Sequence, residues 1–170
     1  MRWFRFAALV LIATILQTSL IDIIAFPAAD IKPNLLLILL VFFAVHCQST
    51  DAIITSFTIG FAADIISSTM GPQIISFGVF GTLLSEMYHV ITIRKWPYQS
   101  LAIFITGFLT AALAYLLTFI KVIFFEAELV ALNTYTELFW TPLYSAILGP
   151  LLFLPTQWWM RIRTHRFSRR

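Results

Sequence analysis

Six apolar runs, each at or near the length that crosses a bilayer, set what this chain can fold into. A spanning helix needs about 20 mostly apolar residues, within a range of about 17–25. The first run covers Phe6 to Phe26 and carries Gln17 and Asp22. The second opens at Pro33 and is unbroken from Leu35 to Val45. The third covers Ala52 to Ser67, the fourth Gln73 to Ile93, the fifth Ser100 to Phe125 and the sixth Leu138 to Trp159. The runs are continuously apolar rather than alternating, which argues for helices and against a transmembrane β-barrel. Composition removes the soluble alternative: 60% of the 170 residues are hydrophobic and 11% charged, with a mean hydropathy of +0.91. A soluble domain is about 45–50% apolar and about 25% charged, and a chain of this size cannot hide the excess from water. The expected fold class is therefore all-α, a polytopic membrane protein built as a bundle of six transmembrane helices. One domain covers residues 1–160, and a basic cytoplasmic tail covers 161–170.

Local signals divide the runs. Pro33 suits the first turn of the second helix, where its missing N–H costs nothing. Gln48-Ser49-Thr50-Asp51 supplies N-cap candidates for the third. Residues 67–72 form a turn, Arg94-Lys95-Trp96-Pro97 break the fourth run from the fifth, and an acidic loop runs from Glu126 to Glu137. Residues 33–67 must supply two helices, so both are short; a re-entrant hairpin is the alternative there, and six full spans are preferred. Arg2 and Arg5 before an apolar run resemble a signal peptide, but Pro27 interrupts the small residues around Ala25–Ala29 and further spans follow. The first run therefore reads as an uncleaved helix.

Orientation follows the Lys/Arg bias of short loops. With both termini inside, Arg2, Arg5, Arg94, Lys95, Arg161, Arg163, Arg166, Arg169 and Arg170 are cytoplasmic, and only Lys32 and Lys121 are outside. The tryptophans agree independently, because all five fall at expected span ends, where Trp favours the interface. Trp3, Trp96, Trp158 and Trp159 lie at the inner face and Trp140 at the outer.

Ionisable residues inside spans are functional candidates by default. Asp22, Asp64 and Lys121 share a depth near the outer end. Asp64 follows Gly60 by four residues, on the same helix face; Gly60 admits a close backbone, so this face points into protein. The partners open to Asp64 are Lys121, the hydroxyls of Ser67 or Ser68, and backbone N–H groups at the Gly71 turn. Glu86 and His89 share a face of the fourth run, but the second Glu-x-x-His of a di-metal carboxylate site is absent. His46 and Cys47 are adjacent, hence about 100° apart on a helix, and do not form a nucleophile–base pair. The single cysteine excludes an intrachain disulfide, and G-x-S-x-G, H-E-x-x-H and P-loop motifs are absent. No cofactor, metal site or catalysis is expected. Small residues on the third, fourth and fifth runs (Gly60, Gly78, Gly81 and Gly107 among them) suit close helix packing, and these three helices are expected to form the packed core. The tail reads first as a topology anchor, second as an attraction for anionic lipid and third as a cytoplasmic protein contact; nucleic acid is not an expected partner.

One resemblance covers almost the whole chain. Lys32-Pro33-Asn34-Leu35 opens a short apolar run. Gly60-Phe61-Ala62-Ala63-Asp64-Ile65-Ile66-Ser67 follows, then Gly71, Phe139-Trp140, Gly149-Pro150 and the basic tail. This order resembles the rod shape-determining MreD family; two departures are a Ser where a Gly is expected before the turn and a short Asp64-to-Gly71 segment. The resemblance implies a multi-pass protein of the bacterial cytoplasmic membrane, part of the cell-elongation machinery. It implies action with MreC and, through it, with MreB, RodA and penicillin-binding protein 2. It implies a six-helix bundle similar to the substrate-binding components of energy-coupling-factor transporters, and no catalysis. Pro33, Asn34, Gly60, Asp64, Gly71 and Lys121 are the candidate structural or partner-contact residues. The leading reading is a membrane scaffold. Its rivals are a small-molecule binding or transport subunit of the same fold, which needs an outward-open polar pocket, and an enzyme acting on lipid-linked wall precursors.

Overall fold

A computed structural model of the chain describes residues 3–19, 33–67, 71–88, 96–125 and 136–160. These residues form α1 (Trp3–Ser19), α2 (Leu35–His46), α3 (Ser49–Ile66), α4 (Pro72–Tyr88), α5 (Trp96–Phe125) and α6 (Thr141–Met160). A π-helical turn, Thr136–Trp140, leads into α6. The described residues contain no strand and six α-helices, so the fold is all-α. Three helical stretches, Ser49–Ile66, Tyr98–Phe124 and Leu138–Thr156, are long and apolar enough to cross a membrane. Asp22, Lys32, His89, Arg94, Lys95, the Glu126–Glu128 part of the acidic loop and the basic tail lie outside the described residues.

The centre of the bundle is α2. Every residue from Leu36 to Val45 is buried, and α2 touches each of the other five helices. A helix that is apolar all round is stable only when it is covered all round. The outer helices behave in the opposite way. α3 exposes Ile53, Phe57, Phe61 and Ile65, and α4 exposes Ile75, Val79, Leu83 and Met87. Residues four apart share a helix face, so each of these helices turns one apolar stripe outward, as a protein surrounded by lipid requires. This corrects the expected core: the third run packs on the fourth and the fourth on the fifth, but among the described residues the third and fifth do not touch, and all three pack around α2.

α2 has 12 residues, a length of about 18 Å at 1.5 Å per residue. That is well short of a hydrocarbon core of about 30 Å. Twelve residues suffice because the neighbours, not lipid, surround them. α3, with 18 residues, reaches about 27 Å. Cys47 and Gln48 join the two helices, which forces α3 to run back alongside α2.

Several boundaries differ from expectation. Pro33 is not in the first turn of α2, because Asn34 is the cap and the helix begins after it. Gln48 occupies the N-cap of α3 without a side-chain cap hydrogen bond; the Ser49 hydroxyl, expected to compete for that role, donates to Glu86 Oε1 at 2.6 Å instead. α5 begins at Trp96 and takes Pro97 into its first turn, where proline obstructs no helical hydrogen bond. α5 therefore runs for 30 residues, about 45 Å.

Aromatic rings fill the Cys47 end of the core. Phe42 meets Phe43 and Phe153 edge-on, each with centroids 5.3 Å apart, and Phe6 meets Phe43 at 5.0 Å. Such pairs contribute about 0.5–1.5 kcal/mol beyond burial. They tie α1, α2 and α6 together.

Candidate functional site

Chain direction places the polar residues. α2 and α3 run antiparallel, so Asn34 at the start of α2 and Asp64 near the end of α3 lie at one end of the bundle. α4 starts from that same end at Pro72. Two junctions are built there.

The first joins α3 to α4. Asp64 is buried, with 2% of its surface exposed. Its Oδ1 accepts from the Gln73 N–H and its Oδ2 from the Ile74 N–H, both at 3.0 Å. The first N–H groups of a helix have no partner within it. In α4 each is accounted for: Pro72 has none, Asp64 takes the next two, and the Ile75 N–H reaches the Gly71 carbonyl at 3.5 Å. The positive end of the helix dipole favours a carboxylate here. One turn earlier, a Cβ on Gly60 would lie 2.9 Å from Ile74 Cα and 3.1 Å from the Gln73 carbonyl oxygen. Gly60 thus admits the same turn of α4 that Asp64 caps. Gly71 is glycine for a different reason: its φ is +114°, with open space where a side chain would stand. Of the partners open to Asp64 from sequence, the backbone N–H groups beyond Gly71 take both carboxylate oxygens.

The second junction joins α1, α2 and α6. Asn34 Oδ1 accepts from the Leu37 N–H at 3.0 Å, closing the first turn of α2. The Asn34 N–H donates to Ser145 Oγ at 2.8 Å, and Ser145 donates onward to the Thr141 carbonyl at 2.7 Å. Gln17 Oε1 accepts from the Leu36 N–H at 3.2 Å, while its amide reaches Asn34 Oδ1 at 3.4 Å. Three helices therefore share the unpaired donors at the start of the central one. Pro33 is buried immediately before this cap. The sequence marks neither Gln17 nor Ser145 as a partner of this cap. The available signal was position: both are polar and near the same end of their apolar runs as Asn34.

Between the ends, the buried hydroxyls turn back onto their own helices. Thr55 and Ser56 donate to the Ala52 carbonyl at 3.0 and 2.7 Å, and Ser76 to Pro72 at 2.7 Å. Thr110 does the same with Thr106 and Gly107 at 2.8 and 2.9 Å. Ser85 Oγ is buried with no hydrogen-bond partner among the described residues.

The opposite end holds the remaining candidates. Glu86, the described half of the Glu86–His89 pair, is exposed and receives the Ser49 hydroxyl. His46 stacks on Phe42 with centroids 4.5 Å apart, and its Nδ1 lies 2.9 Å from the Phe42 carbonyl. The half-buried Cys47 thiol is pushed up to about 11 by burial and then by the negative charge of Asp51. Lys121 lies half-buried in the last turns of α5. Among the described residues, no three of His, Cys, Asp and Glu gather at metal-ligand distance.

The family model described as rod shape-determining protein MreD matches residues 1–163. No curated protein and no solved structure matches the chain.

Proposed function

The chain belongs to the MreD family, a family of rod shape-determining membrane proteins, and on that premise we propose that it is a non-enzymatic scaffold of the bacterial cell-elongation complex. The proposal places it in the cytoplasmic membrane, needed for rod shape and lateral peptidoglycan synthesis. MreC is its direct partner, and MreB, RodA and penicillin-binding protein 2 are engaged through MreC. One transmembrane domain, residues 1–160, carries this role, with both termini and the basic tail cytoplasmic.

The observation that supports a scaffold is the centre of the molecule. Large apolar side chains from α2, with Phe77 and Phe153, occupy it, and the hydroxyls of Thr55, Ser56, Ser76 and Thr110 bond to their own helices. A scaffold needs fixed outer faces, and a packed central helix clamped at its first turn supplies them. In this reading Pro33, Asn34, Gly60 and Asp64 set the relative positions of the helices. Gly71 and Lys121, each only partly buried, are assigned to partner contact.

Depletion of the protein in a rod-shaped host tests the proposal. The expected result is round or swollen cells with normal uptake of small nutrients. Persistent rods together with failed uptake of one nutrient would move the assignment to a transport subunit.

A further inference from the structure

The charge distribution is sharply divided along the chain. All eight acidic residues lie between Asp22 and Glu137. The stretches before and after hold none, yet they hold Arg2, Arg5, Arg161, Arg163, Arg166, Arg169 and Arg170, seven of the eleven Lys and Arg residues. The fold joins these two stretches. Arg5 on α1 donates from Nη1 to the carbonyl of Trp159 on α6, at 3.3 Å. That carbonyl belongs to the last turn of α6, where a helix presents its negative end. Arg5 therefore offsets part of the negative end of α6, which would otherwise repel an anion. A guanidinium has five N–H donors in a fixed fork, and among the described residues Trp159 takes only one hydrogen bond from it. On the same ends of α1 and α6, Trp3, Phe4, Trp158 and Trp159 are exposed, Phe4 and Trp158 at 89% and 81%. Exposed indoles beside a cation at the end of a spanning helix suit the headgroup level of a bilayer.

We propose that this seam between the start of α1 and the end of α6 seats the phosphate of an anionic phospholipid. The Arg5 fork takes the phosphate oxygens, as guanidinium geometry favours, and the tryptophans flank the glycerol and upper acyl chain. The occupant is a membrane lipid rather than a free anion, because the aromatic frame has no use for inorganic phosphate. The inference requires only that the chain lies in a membrane, and it stands independently of the scaffold assignment.

Full-length protein is purified in mild detergent, and retained lipid is counted by native mass spectrometry after addition of phosphatidylglycerol or phosphatidylcholine. Phosphatidylglycerol is expected to be retained in preference to phosphatidylcholine. Arg5→Gln should weaken that preference about tenfold, as loss of a charge-assisted contact implies, and Arg5→Lys should keep part of it. Trp158→Ala, a change at a side chain outside the buried core, should also reduce retention. A chain ending at residue 160 should keep the preference, which separates the seam from diffuse attraction to the tail. Equal retention of the two lipids, an unchanged preference in Arg5→Gln and Trp158→Ala, or displacement of the lipid by equimolar inorganic phosphate would overturn the proposal.

Discussion

Gly60 and Asp64, one turn apart on α3, grip the same two residues of α4. Gly60 lets the Gln73–Ile74 backbone approach to within a distance that no Cβ tolerates, and the Asp64 carboxylate receives the N–H groups of both. Close approach and capping are thus one device. It fixes the α3–α4 hairpin at the end where the chain turns through Gly71.

Asp64 substitutions should separate by hydrogen-bonding capacity. Asp64→Asn keeps an acceptor for one of the two N–H groups. Asp64→Leu strands both, at about 1–3 kcal/mol for each buried donor. Thermal unfolding in detergent should therefore rank wild type above Asn and Asn above Leu, with protein level in membranes following the same order. Equal melting of the three would mean that water already serves these donors.

Gly60→Ala should destabilise although alanine is the better helix former. The added Cβ meets backbone of α4, which cannot swing aside as a side chain could, and overpacking typically costs about 1–3 kcal/mol. The same change at Gly71 strains φ without meeting any atom. Comparing the two in one unfolding assay distinguishes steric overlap from backbone strain.

At the other junction, Asn34→Ala removes the cap of the central helix, a loss of about 0.5–2 kcal/mol. Because Gln17 and Asn34 share acceptors and donors, Gln17→Ala and Asn34→Ala should not add: residues in one network couple by about 0.5–3 kcal/mol. A double-mutant cycle on melting in detergent measures the coupling. Additive losses would show that the two act separately.

How much of this was readable beforehand depends on how far apart the partners are in the chain. The six apolar runs declare a membrane protein, and the four-residue spacing of Gly60 and Asp64 declares a shared face that points inward. The central place of α2 is not declared. A uniformly apolar run looks the same whether lipid or protein surrounds it, and its shortness, which leaves a re-entrant hairpin open in the sequence, reflects complete enclosure. The Asn34 junction was also hidden, because Gln17 and Ser145 lie 17 and 111 residues from Asn34. Pairing over such distances leaves no local pattern. Pro33 misled for a local reason: proline suits a first turn, but the Asn34 side chain offers a better cap one residue later.

Cys47 gives a prediction in pH. Burial and Asp51 disfavour the thiolate, so the thiol stays protonated until about pH 11. Alkylation requires the thiolate, so labelling of the folded protein should be slow near neutrality. It should rise about tenfold per pH unit toward that value. Asp51→Asn removes the second cause and should speed labelling at a fixed alkaline pH. Fast labelling at pH 7 would contradict the burial seen at the α2–α3 link.

The scaffold assignment is tested most directly by what stays bound when the full-length protein is drawn from membranes in mild detergent and its companions are quantified by mass spectrometry. The expected result is recovery of MreC together with RodA and penicillin-binding protein 2, and reduced recovery from Asp64→Leu at matched protein level. Purification of the wild type with none of these proteins, but with a tightly held small molecule, would contradict it.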